Sequence, residues 1–372
     1  LAWGAVQNHL TGIEGIGVDS SALKLSPRDT ELRTWEVAAA FPAKRILCVT
    51  LGRGQPAAQR ISTDAELKID CWFIDQYPCR RAIEYHAEHT DPKESARLKF
   101  YCAADPDTES VQLAILPLLM HGEAELSRDI LQLMYQRLTL GGRLVASVDN
   151  VRDRWLHEQM RELFPKVTVH AFDDAIVYSA VKQAELKRVR NFQCEFVFRD
   201  REKLIQAISR PGVFSHRHID PGARQLLDAI EMGPKTRVID IGCGAGTVSL
   251  ALAARDATAQ VHAVDGNARA VQCTQLGATR NQLTNVVVEL NCQGTKASKG
   301  SFDLAVANPP YFADFRIAEH FIQVAQDALK PGGQLLLVTK QPQWYEDYLP
   351  DRWADVDIWP SKRYHLVAAI RA

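Results

Sequence analysis

Short apolar runs alternate with amphipathic stretches along this chain, and the runs break off at glycine, aspartate or proline. In the second half, RVIDIGCGAG (Arg237–Gly246) is an apolar run that dissolves into glycines. VHAVDGNA follows, closing its run on Asp265, and then FDLAVANPPY, a helix-patterned RIAEHFIQVAQDAL and the run KPGGQLLLVTK. The last stretch, VDIWPSKRYHLVAAIRA, predicts an antiparallel pair turning at Trp359-Pro360. Strands alternating with helices in this way predict a parallel α/β sheet.

The first half repeats the pattern. RILCVTLGRG (Arg45–Gly54) has the arginine-to-glycine spacing of Arg237–Gly246, CWFIDQYP ends its run at Asp75, and VQLAILPLLM leads through a helical stretch to TLGGRLVASVD. The separations Leu113 to Gly141 and Leu304 to Gly332 are equal, and VTVHAFDDAIVYSAV mirrors the closing pair. Equal spacing over a whole strand–helix–strand segment points to duplication. The expected domains are residues 1–185 and 186–372, joined near KQAELKRVRNF (Lys182–Phe192).

Composition narrows this little. The chain has 372 residues, 46% hydrophobic and 24% charged, with a formal net charge of −1. That length suffices for two cores. Any contact with nucleic acid must come from a local patch and not from the overall field. The apolar run Leu113–Met120 contains Pro117 and is too short to span a bilayer. LAWGAVQNHL has neither a basic flank nor a sustained apolar core, so no secretory signal is expected there. The eight cysteines form no CxxC or Cys/His pair at zinc spacing, which fits a reducing, cytoplasmic setting without metal.

The candidate chemistry lies in the second half. Gly242, Gly244 and Gly246 allow a tight strand-to-helix turn and close approach of a ligand. Asp240 ends the strand before them, and Asp265, followed by Gly266, ends the next, where an acidic residue meets a ribose diol in nucleotide-binding sheets. A carboxylate just ahead of the glycines disfavours a pyrophosphate and suits a ligand carrying ammonium and sulfonium groups. Cys243, inside the loop, has no base in reach in the sequence and is read as a small loop residue. After FDLAVA, Pro309 and Pro310 fix φ and remove two backbone donors, leaving carbonyl acceptors. Asn308 adds an amide and Tyr311 a flat ring. Such a set suits a planar amine: acceptors orient its N–H groups and localise its lone pair, while the ring stacks on a base turned out of its helix.

The glycine loop, Asp265 and Asn308-Pro309-Pro310-Tyr311 together resemble the class I S-adenosylmethionine-dependent methyltransferases that act on amino groups. The segment Pro211-Gly212-Val213-Phe214-Ser215, with Asp220 and the leucines after it, resembles the RsmC/RlmG-type ribosomal RNA (guanine-N(2)-)-methyltransferases. That resemblance implies two tandem Rossmann-like domains, each a mostly parallel seven-stranded sheet with an antiparallel closing strand, of which the C-terminal one is active. It implies S-adenosylmethionine as cofactor and ribosomal RNA or a ribosomal subunit as partner. It places Phe214 beside the cofactor, Asp220 in the same pocket, and Gln293 (or Asn291) against the adenine. The chain departs from the pattern in having Tyr311-Phe312 where those enzymes tend to have phenylalanine and histidine. The base therefore stays open: guanine N(2) leads, with adenine or a protein glutamine as alternatives.

In the first half Cys48 stands for Asp240, Thr50 for Gly242, and Leu116–Met120 covers the Asn308–Tyr311 position, while Gly52, Gly54 and Asp75 remain. This half is expected to be a degenerate copy that holds RNA or braces its neighbour. A non-catalytic RNA-binding or ribosome-assembly factor is the alternative from another class. Leu186–Asp220 has an excess of basic residues, and Lys187, Arg188, Arg190 and Arg217 are the candidate RNA contacts. His216 and His218 lack a third ligand for a metal.

Overall fold

The computed structural model describes residues 26–297, 299–310 and 315–372. The chain divides into two compact units at Phe192/Gln193. The first carries strands β1 (Arg45–Cys48), β2 (Lys68–Phe73), β3 (Leu98–Cys102), β4 (Val111–Leu118), β5 (Leu138–Val148), β6 (Val167–Ala171) and β7 (Ile176–Val181). Its helices are α1 (Asp29–Ala38), α2 (Gln55–Ser62), α3 (Gln76–His89), the single turn α4 (Pro92–Ser95), α5 (Ala124–Arg137) and α6 (Trp155–Leu163). The sheet order is β3-β2-β1-β4-β5-β7-β6, parallel from β3 to β5, with β7 antiparallel to both its neighbours.

The second unit opens with the hairpin β8 (Cys194–Asp200) and β9 (Lys203–Ser209). The strands β10 (Arg237–Ile241), β11 (Gln260–Asp265), β12 (Val286–Leu290), β13 (Phe302–Ala307), β14 (Leu329–Thr339), β15 (Ala354–Ser361) and β16 (Tyr364–Ile370) follow. They pair in the order β12-β11-β10-β13-β14-β16-β15. The helices are α7 (Pro221–Ala229), α8 (Thr247–Arg255), α9 (Ala268–Arg280), α10 (Arg316–Ala328) and α11 (Pro342–Tyr348). The alternation of side chains along each strand feeds two cores. Val238, Val306 and Leu336 pack with Leu226 and Leu250 on one face, while Ile239, Ala305 and Leu337 pack with Ile322 and Tyr345 on the other.

The repeat read from spacing recurs in detail. Gly141 and Gly332 both adopt positive φ, 79° and 75°. Gly141 N–H donates to the Lys182 carbonyl and Gly332 N–H to that of Arg371, each at 2.8 Å. The side chains of Lys182 and Arg371 then reach back to the carbonyls of Leu138 and Leu329, the first residues of β5 and β14. One closing device therefore serves both sheets.

Two expectations change. Trp359 and Pro360 do not form a turn: they lie in β15, paired with Leu366 and His365, and the chain reverses between Ser361 and Tyr364, where Lys362 has φ 53°. The edge position of β15 explains the tolerated proline, which lacks the donor that an inner strand would need. The stretch read as a linker packs on the first unit. Lys182 is buried, Tyr135 donates to the Ala184 carbonyl, and the Gln132 amide bonds both the N–H and the C=O of Arg190. The junction thus falls at 192/193, later than the 185/186 boundary taken from the repeat pattern.

Candidate active site

Open α/β sheets bind ligands at the carboxyl ends of strands where the strand order reverses, here between β10 and β13. Register decides which residues meet there. Ile241 pairs with Val264 and with Ala307, so Gly242, Asp265 and Asn308 emerge side by side. The glycine loop hangs on its neighbours by backbone bonds. The N–H groups of Gly242 and Cys243 donate to the Val264 carbonyl, Gly244 N–H donates to Asp265 Oδ2 at 2.8 Å, and Ala245 N–H donates to the Phe214 carbonyl. A Cβ on Gly244 would come within 1.8 Å of that carbonyl oxygen, and one on Gly242 within 2.7 Å of Phe321. Glycine is needed at both for contact as well as for conformation, since both have positive φ.

Phe214 belongs to a strap, residues 210–216, laid across the loop. α9 and its cap hold it: Asn267 Nδ2 donates to the Gly212 carbonyl, the buried Arg269 donates to the Pro211 carbonyl at 3.0 Å, and Arg210 donates to Gln272. The Phe214 side chain is 54% exposed at the loop. These clamps were not legible in the sequence, because Asn267 and Arg269 read as ordinary residues at a helix start.

Asp265 accepts from Gly244 N–H through Oδ2 and from Asn267 N–H through Oδ1, and the Gly266 amide also bears on it. Burial raises its pKa. Asp240 is buried, and its Oδ2 accepts from the N–H and hydroxyl of Ser249 in the first turn of α8. Burial, with a smaller contribution from Asp265, pushes its carboxyl up to about 6. Among the described residues no cation answers this pair of carboxylates, so the pocket fits a positively charged ligand. Cys243 is buried against Thr274, and burial raises its thiol, which disfavours the nucleophilic thiolate.

On the target side, Asn308 Nδ2 donates to Asp220 Oδ2 at 2.9 Å. Pro309 is buried and Pro310 half-buried. Tyr311 and Phe312 lie outside the described residues. Phe315 stacks on Trp344 at 4.8 Å and Trp344 on Tyr348 at 4.4 Å, an aromatic group that sequence reasoning passed over because it joins α11 to the start of α10. In the loop after β12, both ends of the Asn291 amide are used: Nδ2 donates to Glu289 and Oδ1 accepts from Gln293 N–H. The Gln293 side chain is exposed, which favours it over Asn291 as a ligand contact.

The basic candidates do not share one unit. Lys187, Arg188 and Arg190 are exposed on the first, with the Arg190 guanidinium over Phe192, and Arg217 is exposed on the second. His216 is engaged by Ser209. No helix is long and apolar enough to cross a membrane among the described residues. In the first unit, Gly52 and Gly54 lie in the loop before α2, and Asp75 caps α3 by accepting from Tyr77 N–H. Cys48 lies buried against Cys71, and Leu116 and Pro117 run on within β4.

Residues 205–368 match the methyltransferase small domain. The chain is 30% identical over 193 residues to the uncharacterized protein YbxB of Bacillus subtilis, an alignment spanning 50% of this chain and 96% of that protein. The chain belongs to the methyltransferase small-domain family. Within it, the ribosomal RNA small subunit methyltransferase C of Chromohalobacter salexigens is 38% identical over 175 residues, covering 44% of this chain and 50% of that protein. The chain spans about half the length of the methyltransferase C relatives it matches. In fold the likeness extends further. The Thermus thermophilus 16S rRNA N2 G1207 methyltransferase RsmC, solved with AdoMet and guanosine, superimposes with a TM-score of 0.73 over 93% of this chain and 92% of that one, at 22% identity. The small-domain fold therefore occurs here in tandem, as in RsmC.

Proposed function

We propose that this chain transfers a methyl group from S-adenosylmethionine to an exocyclic amine of a flipped-out base, guanine N(2) of ribosomal RNA. The observation that carries this reading is the junction of two chemistries in register: a glycine loop with one buried and one half-buried carboxylate, and beside it an edge made of Asn308 and two prolines. The loop glycines, Asp265, Gly266, Phe214 and Gln293 would hold the donor. Asp265 still has lone pairs for a ribose diol after its two backbone bonds. Asp240 would act from below the loop, through charge and by fixing α8.

When bound, the donor supplies a methyl on a sulfonium, whose C–S bond breaks with its electron pair returning to sulfur as the amine lone pair forms the N–C bond. Asn308 and the Pro309 carbonyl accept the N–H groups of the target and aim that lone pair. The Tyr311 ring stacks on the base. One proton then leaves the methylated nitrogen for water, so no strong base or metal is required. The first unit is assigned no transfer activity; Lys187, Arg188 and Arg190 on it, with Arg217, would contact RNA phosphates. The protein would work in the cytoplasm, where ribosomal RNA is found.

The name of the methyltransferase C relatives supports small-subunit ribosomal RNA as the substrate. The test is tritium transfer from labelled S-adenosylmethionine to ribosomal RNA from cells lacking the gene, with mass-spectrometric identification of the product. N(2)-methylguanosine is expected. Label in N(6)-methyladenosine, or in protein glutamine, would overturn the guanine assignment, and no transfer at all would favour a non-catalytic RNA-binding factor.

A further inference from the structure

Asp220 is placed to do more than cap a helix. It is the N-cap of α7, followed by Pro221, and its Oδ2 accepts from Ala223 N–H at 3.0 Å, which is the usual capping arrangement. The same oxygen accepts from Asn308 Nδ2 at 2.9 Å, from a residue 88 positions further along the chain. The slot that holds the pair is narrow. A Cβ on Gly222 would meet Asp220 Oδ2 at 2.8 Å, the Tyr364 ring at 3.1 Å and Asn308 Oδ1 at 3.2 Å. Glycine at 222 is therefore what lets carboxylate and amide come together.

A primary amide is ambiguous: one side of its Cγ is an acceptor and the other carries two donors, and a half-turn about χ2 exchanges them. A carboxylate removes the ambiguity, because it can only accept. The Nδ2 side must face Asp220, and among the described residues no donor answers Asn308 Oδ1. We infer that Asp220 is the positioning residue that holds Asn308 with its carbonyl toward the substrate, so that the target edge presents acceptors alone. Pro309 and Pro310 contribute no N–H to that edge. An amino group, which brings N–H donors, is selected; a carbonyl oxygen, which needs a donor, is refused. This rests on the amine-methylation reading above and adds the device by which the site recognises an amine.

The test uses the full-length chain, labelled S-adenosylmethionine and ribosomal RNA from cells lacking the gene. Asp220→Ser keeps a helix cap, but its shorter hydroxyl, which can donate as well as accept, no longer holds Asn308 Nδ2 to an acceptor-only partner. The expected result is a fall in kcat of at least about tenfold, as for loss of one aligned hydrogen bond at a reacting centre, with donor affinity and melting temperature unchanged. Because one oxygen takes both the cap bond and the Asn308 bond, Asp220→Asn, capping through its amide oxygen, keeps an acceptor at that point and should regain most of the rate that Asp220→Ser loses. No purely structural role of Asp220 predicts a rate loss without a loss of stability. Wild-type kcat in Asp220→Ser, or an Asp220→Asn no better than Asp220→Ser, overturns the inference. A wild-type chain that transfers no methyl group overturns the functional reading and this inference with it. Should Asp220→Ser melt early, Asp220→Thr retains a cap with the same shortened reach and is expected to lose rate in the same way.

Discussion

Gly54 begins α2 at φ 74° and ψ 21°, and Gly246 begins α8 at φ 74° and ψ 13°, so the two glycine loops of this chain enter their helices with one backbone conformation. What answers the loop amides differs. In the first unit Thr50 Oγ1 accepts from the N–H groups of Gly52 and Gly54, Gln55 Oε1 accepts from Arg53 N–H, and the buried Glu31 carboxylate bonds Thr50 and meets the Leu51 and Gly52 amides. The loop is filled by its own side chains. In the second unit the corresponding bonds run to the end of β11 and to the strap, and the loop remains bare glycine and backbone facing the crevice. Asp75 and Asp265 share the bond to the N–H two residues on, and Asp265 also reaches across to its loop. The two sheets of one strand order thus share the helix entry and differ in what answers the loop, because folding needs the first while the second depends on which side chains lie near.

The sharpest way to break this contrast is one substitution made twice. Gly244→Ala places a methyl against the Phe214 carbonyl at a left-handed φ and is expected to weaken S-adenosylmethionine binding by more than about a hundredfold. Gly52→Ala meets nothing closer than Gln55 Oε1 at 3.4 Å and should leave binding within about twofold. Calorimetry decides; equal losses would mean that both loops serve the ligand. Next is Asn308→Ala, expected to lower kcat by about a hundredfold or more with donor affinity near normal. Pro117→Ala, at the matching place in β4, should leave transfer unchanged.

Glu31 offers a stability test in the filled loop. Burial pushes its carboxyl up to about 7, whereas the unfolded chain releases that proton near 4.5. The folded state therefore holds a proton that the unfolded state has lost, and stability falls as pH rises from about 4.5 to 7. Glu31→Gln should flatten that slope and stabilise the first unit at pH 8 by on the order of 2 kcal/mol, with no gain at pH 4.5, in thermal melts. A smaller effect is expected at Asp240, raised to about 6. A cationic donor favours the ionised carboxylate, so donor affinity should climb toward tenfold per pH unit below 6 and level off above it. Asp240→Asn should remove the climb. Smallest is Gln293→Ala, with a loss of about threefold to tenfold in donor affinity, the range for one hydrogen bond.

Much of the site was legible because its parts sit at strand ends, and strand ends are visible as apolar runs that stop. Gly242, Asp265 and Asn308 could be named from FDLAVANPP and its neighbours, and register then placed them together. The equal spacing of the halves likewise foretold two sheets of one topology. The Trp359-Pro360 stretch misled because proline often signals a turn but is also tolerated at the edge of a sheet, and edges cannot be seen in one dimension. Asp-Pro-Gly at 220–222 does announce a helix start, but nothing near it announces Asn308, which is distant in sequence.

The sequence by itself determined the order of elements, the duplication and the kinds of chemistry at the crevice, because periodicity and residue type act locally. Only the tertiary structure decided how each polar group is spent. It gives Asp240 to Ser249, Asp265 to two amides, Asn291 to its own loop and Asn308 to Asp220, and it fills the first glycine loop with Glu31. Those choices rest on distances of about 3 Å between residues far apart in the chain, and a hydrogen bond is decided by distance and angle, which no spacing along a sequence records.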